Sequence, residues 1–89
     1  MKKFDYIIKD DVGIHARPAG FLAKTAKEFE SEINIEKNGR KASLKKLMAV
    51  MSLEIKCGDK VTVSIEGDDE EKAEKEIRKF FEENLWYKG

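Results

Sequence analysis

Eighty-nine residues and 10.2 kDa suit one domain with one modest core, spanning 1–89, which excludes a two-domain enzyme and leaves little interior for a deep substrate pocket. Apolar and charged residues each make up 40% of the chain, the balance of a small globular domain with a heavily charged surface. The 18 basic residues match 18 acidic ones, which argues against general nucleic-acid binding.

The signs are unevenly spread: Glu66 to Glu83 holds nine acids and four bases, and Met1 to Ile65 holds thirteen bases and nine acids. The basic part is suited to steering an acidic protein partner. No run approaches the roughly 18 apolar residues of a membrane span, and the N-terminal stretch has no signal-peptide apolar region, so a cytoplasmic chain is expected. A single cysteine, Cys57, excludes an internal disulfide and a zinc site of paired cysteines. It is read as a turn residue with no redox role, and no metal or cofactor is expected.

Lys2 to Lys9 places Phe4, Tyr6 and Ile8 at alternate positions, the period of a half-buried strand, and Asp10, Asp11 and Gly13 end it in a loop. After Pro18 comes a helical run with Leu22, Ala26 and Phe29 on one stripe. Glu32 to Lys37 is a second strand. Asn38-Gly39 then signals a two-residue hairpin, because both positions readily take φ > 0, and Arg40 to Leu44 is the return strand. Leu47 to Leu53 reads as a short helix, and Cys57-Gly58-Asp59 as a turn.

Lys60 to Glu66 alternates Val61, Val63 and Ile65, the clearest strand of the chain. Gly67-Asp68 opens the last helix, with Asp68 and Glu71 at capping-box spacing and Ala73, Ile77, Phe80/Phe81 and Leu85 on its apolar stripe. Trp86 and Tyr87 fit either a cap on the core or a frayed end. The order β-α-β-β-α-β-α predicts an α+β open-faced sandwich, a sheet covered by helices on one face.

Gly13 to Ala19 is the one stretch that periodicity does not explain. Its His15 is the chain's sole histidine and falls where loop becomes helix. Pro18 is tolerated in a helix's first turn, and it biases Arg17 away from helical geometry. His15 is therefore expected at or just before a helix N-terminus, where unpaired N–H groups favour an anion and the dipole lowers the imidazole's pKa. A neutral imidazole is a nucleophile at physiological pH, and Arg17 adds a planar fork for phosphate oxygens. This grouping suits transient phosphorylation of His15. The same residues also fit a plain surface or capping histidine beside a common Arg-Pro pair.

Gly13-Ile14-His15-Ala16-Arg17-Pro18-Ala19 resembles the active-site signature of the HPr family, the histidine-containing phosphocarriers of the bacterial phosphoenolpyruvate-dependent sugar phosphotransferase system. The resemblance covers nearly the whole chain. Asn38-Gly39 falls at the family's hairpin, Leu47 to Leu53 resembles its short-helix signature, and the last helix matches in place and length. It implies a four-stranded antiparallel sheet with three helices on one face.

It also implies a phosphoryl group carried on His15 Nδ1 from enzyme I to a histidine of a sugar-specific enzyme IIA. Arg17 and the backbone N–H groups of Ala16 and Arg17 would hold the phosphoryl oxygens. Such a protein is a stoichiometric carrier and not a turnover enzyme, and a monomer is expected.

Two positions depart from the family pattern. Lys46 stands where many Gram-positive relatives have a serine modified by a kinase, and Ser43 and Ser52 do not match that site. Val12 stands where relatives often have a small polar residue. The resemblance further implies a docking surface beside His15, with Phe21, Leu47, Met48 and Met51 as candidate apolar anchors. Phe21 lies off the buried stripe, and Met48 is expected to be exposed. Lys24, Lys27, Lys45 and Lys46 would form a basic rim, although such lysines are also ordinary solvated charge. The alternatives are a regulatory HPr-like binding module, the carrier of a nitrogen-related phosphorelay, or an α+β nucleic-acid binder, which would need exposed aromatic rings on its open sheet face.

Overall fold

The computed structural model describes residues 1–9 and 16–82, for residues 16–18 the backbone alone. His15, Val12, Leu85, Trp86 and Tyr87 lie outside the described residues. In chain order the elements are β1 (Lys2–Ile7), α1 (Ala16–Ala26), β2 (Glu32–Lys37), β3 (Arg40–Ser43), α2 (Leu47–Met51), β4 (Lys60–Glu66) and α3 (Glu70–Glu82).

The strands form one antiparallel sheet in the order β1-β4-β2-β3. The alternating pattern becomes two unlike faces. Phe4, Ile8, Ile33, Ile35, Ala42, Leu44, Val61, Val63 and Ile65 are buried in one core with the apolar faces of the helices. The register stacks Phe4, Val63, Ile35 and Ala42 in a row across all four strands. The opposite face carries Lys3, Asp5, Glu36, Lys41, Thr62 and Ser64, and the rings of Phe4 and Tyr6 pack toward α3 instead. The ring-stacking platform of a sheet-based nucleic-acid binder is not what these strands present. Among the described residues no helix is long and apolar enough to cross a membrane.

Several elements are shorter than their sequence pattern. β1 ends at Ile7, but Ile8 stays buried, donates to the Asp59 carbonyl (2.9 Å) and accepts from the Gly58 N–H (2.8 Å). β3 ends at Ser43, with the Leu44 N–H still on the Ile33 carbonyl (2.8 Å). α2 ends at Met51, because the Leu53 N–H bonds to Val50, three residues back, and tightens the exit. The hairpin turn has Asn38 at φ 51° and Gly39 at φ 80°, the twist that antiparallel strands favour.

The start of α3 corrects the expected pairing of Asp68 with Glu71. Gly67 and Glu70 make the reciprocal pair: the Gly67 N–H donates to Glu70 Oε1 (3.1 Å), and the Glu70 N–H to the Gly67 carbonyl (3.2 Å). This leaves Asp69 free to reach across to the α1–β2 turn. It accepts the N–H groups of Glu30 (2.8 Å) and Ser31 (2.9 Å) and the Ser31 hydroxyl. These donors, the hydroxyl foremost, hold the Asp69 carboxyl below its ordinary pKa. Gly67 permits the approach, since a Cβ there would lie 2.6 Å from Ser31 Oγ.

Candidate functional site

α1 is helical because Ala19, Leu22, Ala23 and Ala26 recur on one buried stripe, and it packs against α2 and α3. It starts at Ala16, the residue after His15. Arg17 is therefore helical, against the bias imposed by the following proline. Pro18 still lies within the first turn, where a missing N–H breaks no intrahelical bond. No acidic side chain lies in that turn, so no carboxylate of the helix offsets its positive end. Backbone N–H groups at this end have the geometry to receive an anion.

α2 packs against α1. Val50 is fully buried, and Leu47 and Met51 are half-buried against the core. Met48 points out at 74% exposure, and Phe21 on α1 at 40%. Of the four apolar residues expected as surface anchors, Phe21 and Met48 are exposed, and Leu47 and Met51 are half-buried, each packed against the core and partly open to solvent. Lys24, Lys27 and Lys46 are exposed. Lys46 is the N-cap of α2, extended at φ −116°, ψ 101°, with no hydrogen bond from its side chain. Lys45 is half-buried, and its Nζ donates to the Phe29 carbonyl at 2.7 Å.

Sequence reasoning gave no role to Lys37 or Arg40, yet both hold this part of the molecule. Lys37 Nζ binds the Asp59 carboxylate (2.8 Å) and donates to the Glu54 carbonyl (2.7 Å). The Lys37 contact, with the Lys56 N–H, lowers the pKa of Asp59. Arg40 donates to the Ser52 carbonyl at 3.3 Å, at the end of α2. These partners are 17 and 12 residues away, beyond any local pattern.

Residues 2–83 match the family model of the PTS HPr component phosphorylation site. The chain belongs to the HPr family. It is 44% identical over 85 residues to the phosphocarrier protein HPr of Mycoplasma genitalium, covering 94% of this chain and 97% of that protein. A mycoplasma histidine-containing phosphocarrier structure superimposes with a TM-score of 0.90 at 41% identity, covering 93% of this chain and 94% of the other. A structure of the HPr dimer from Thermoanaerobacter tengcongensis has a TM-score of 0.75 at 42% identity, covering 94% and 97%. The four-stranded antiparallel sheet with three helices is the HPr fold, as the sequence predicted. The part of the signature from Ala16 to Ala19 forms the start of α1.

Proposed function

We propose that this HPr-family chain relays a phosphoryl group on His15 between phosphorylated enzyme I and a sugar-specific enzyme IIA in the cytoplasm. His15 Nδ1 attacks phosphorus as the bond to the donor's histidine breaks, and the second transfer repeats this with enzyme IIA as acceptor. A phosphohistidine is a high-energy phosphoramidate, so both steps stay reversible. Arg17 stabilises the phosphoryl oxygens, and the N–H groups of Ala16 and Arg17 add donors; such transfers depend mainly on placement and electrostatics. One observation carries this reading: the phosphorylation signature runs directly into α1, whose first turn has no acidic side chain.

The docking face is built on α1 and α2, with Phe21 and Met48 as apolar anchors that exclude water and Leu47 and Met51 supporting them. Lys24, Lys27 and Lys46 speed encounter with acidic partners. One copy supplies every group the relay needs, so the working unit is a monomer. Lys46 has no hydroxyl, so no kinase places a phosphate there.

Incubation with enzyme I and phosphoenolpyruvate should give one acid-labile phosphate, absent in His15→Ala; residual acid-labile phosphate in that variant sinks the assignment. Arg17→Ala should slow transfer by on the order of 1.5–3 kcal/mol in the transition state, with under about 0.5 kcal/mol change in stability.

A further inference from the structure

We infer that Lys45 is a positioning residue that sets α2 against α1, and is not one of the cations that meet the partner. The inference rests on the phosphocarrier reading above. The Lys45 ammonium lies 2.7 Å from the Phe29 carbonyl, in the turn that ends the α1 segment. There the Phe29 N–H bonds to the Ala26 carbonyl and the Phe29 ring is buried. The acceptor lies three residues beyond the last of α1, and a charged donor makes the stronger kind of hydrogen bond.

The other end of Lys45 is equally fixed. Its own N–H donates to Ser43 Oγ (3.2 Å), and the Lys46 N–H to the Ser43 carbonyl (3.1 Å), so the turn is closed just before α2 begins at Leu47. A single side chain thus joins the turn that follows α1 to the turn that precedes α2. α2 has five residues and no side-chain cap, too little to fix its own placement. Ties from outside decide where it lies, and with it where Met48 stands relative to Phe21 on α1. Lys24 and Lys27 are exposed, whereas Lys45 is half-buried.

Salt separates the two roles. A rim cation acts through long-range attraction, which fades as the Debye length falls from roughly 20 Å near 0.02 M salt to roughly 4 Å near 0.5 M. A misplaced docking face is not repaired by salt. The KM of enzyme I for the chain is measured at both concentrations for Lys24→Met, Lys45→Met and Lys45→Arg, with amide NMR spectra of the free proteins.

Lys24→Met should raise KM at low salt and match the parent protein at high salt. Lys45→Met should raise KM about fivefold at both, the worth of one hydrogen bond, with kcat unchanged. Lys45→Arg, which keeps charge and donor, should restore it. Lys45→Met should also move the amide signals of Phe29, Glu30 and α2. A Lys45→Met penalty that vanishes at high salt, or unmoved α2 signals, overturns the inference. If the parent protein takes no phosphoryl group from enzyme I, the carrier reading falls, and the amide signals alone decide whether Lys45 is a strut.

Discussion

In α3 the first turn closes on itself: Gly67 and Glu70 exchange bonds, Glu70 and Glu71 sit at its positive end, and Lys79 lies in its last turn. In α2 the first turn follows Lys46, a cation at the pole that favours anions, with no side-chain bond. Its exit is better served, since the N–H groups of Ser52, Leu53 and Glu54 and the Ser52 hydroxyl take the last four carbonyls, but Glu54 does so at φ 51°, a conformation suited to glycine. Neighbours supply what α2 lacks: Arg40 and Lys37 donate to carbonyls at its end, and Val50 is buried beneath it. α3, at thirteen residues, is specified by its own sequence; α2, at five, is held by the sheet and by α1. The helix that exposes Met48 is the one with the weakest means of its own.

The largest test of this contrast is Gly67→Ala. The new Cβ would lie 2.7 Å from Ser31 Cα, where backbone cannot give way, at a φ of 155°. A loss of about 3 kcal/mol is expected in urea unfolding. An unchanged midpoint would show that the junction between the α1–β2 turn and α3 is loose.

Next comes acid. The Asp69 carboxyl is depressed by the Ser31 hydroxyl and the N–H groups of Glu30 and Ser31, and Asp59 and Glu70 are depressed as well. As pH falls the unfolded chain takes up these protons first. Their stabilisation is complete above about pH 5 and is lost as pH falls through the lower native values. Asp69→Asn should therefore lower stability at neutral pH and flatten the acid limb of a stability-versus-pH curve. An acid limb as steep as the parent's would remove Asp69 from the account.

At α2 the expected effects are smaller and reversed in sign. Lys46→Ser supplies a cap and removes an adverse charge, and should add about 0.5–1 kcal/mol. The same variant restores a hydroxyl at the family's kinase position, so mass spectrometry after incubation with the serine kinase reads a second outcome. Glu54→Gly should add about 0.5 kcal/mol, the relief of left-handed strain less the entropy glycine loses on folding. A lower melting temperature for either would mean that α2 is not the under-capped helix it is taken to be.

The strands were legible because a half-buried sheet enforces period two, so Phe4, Ile35 and Val63 announce their face locally. The hairpin was legible because Asn38-Gly39 accepts positive φ, and the stripe of α3 because Ala73, Ile77 and Phe81 recur at helical spacing. The signature at Gly13 to Ala19 stood out because no period accounts for it. The cap of α3 was read one residue late, since Asp68, Asp69, Glu70 and Glu71 all suit a helix start, and only the approach of Ser31 selects Asp69 for another task.

Sequence alone determined which residues face the core, where the chain turns, and that one histidine stands before a helix, because each depends on residues within a few positions of one another. Tertiary structure decided that β4 lies between β1 and β2, that Arg17 is helical despite Pro18, and that Lys45 spends its charge on the Phe29 carbonyl. Each of these is set by how separately formed elements pack. A lysine's local sequence carries no record of which distant carbonyl comes within reach of its ammonium.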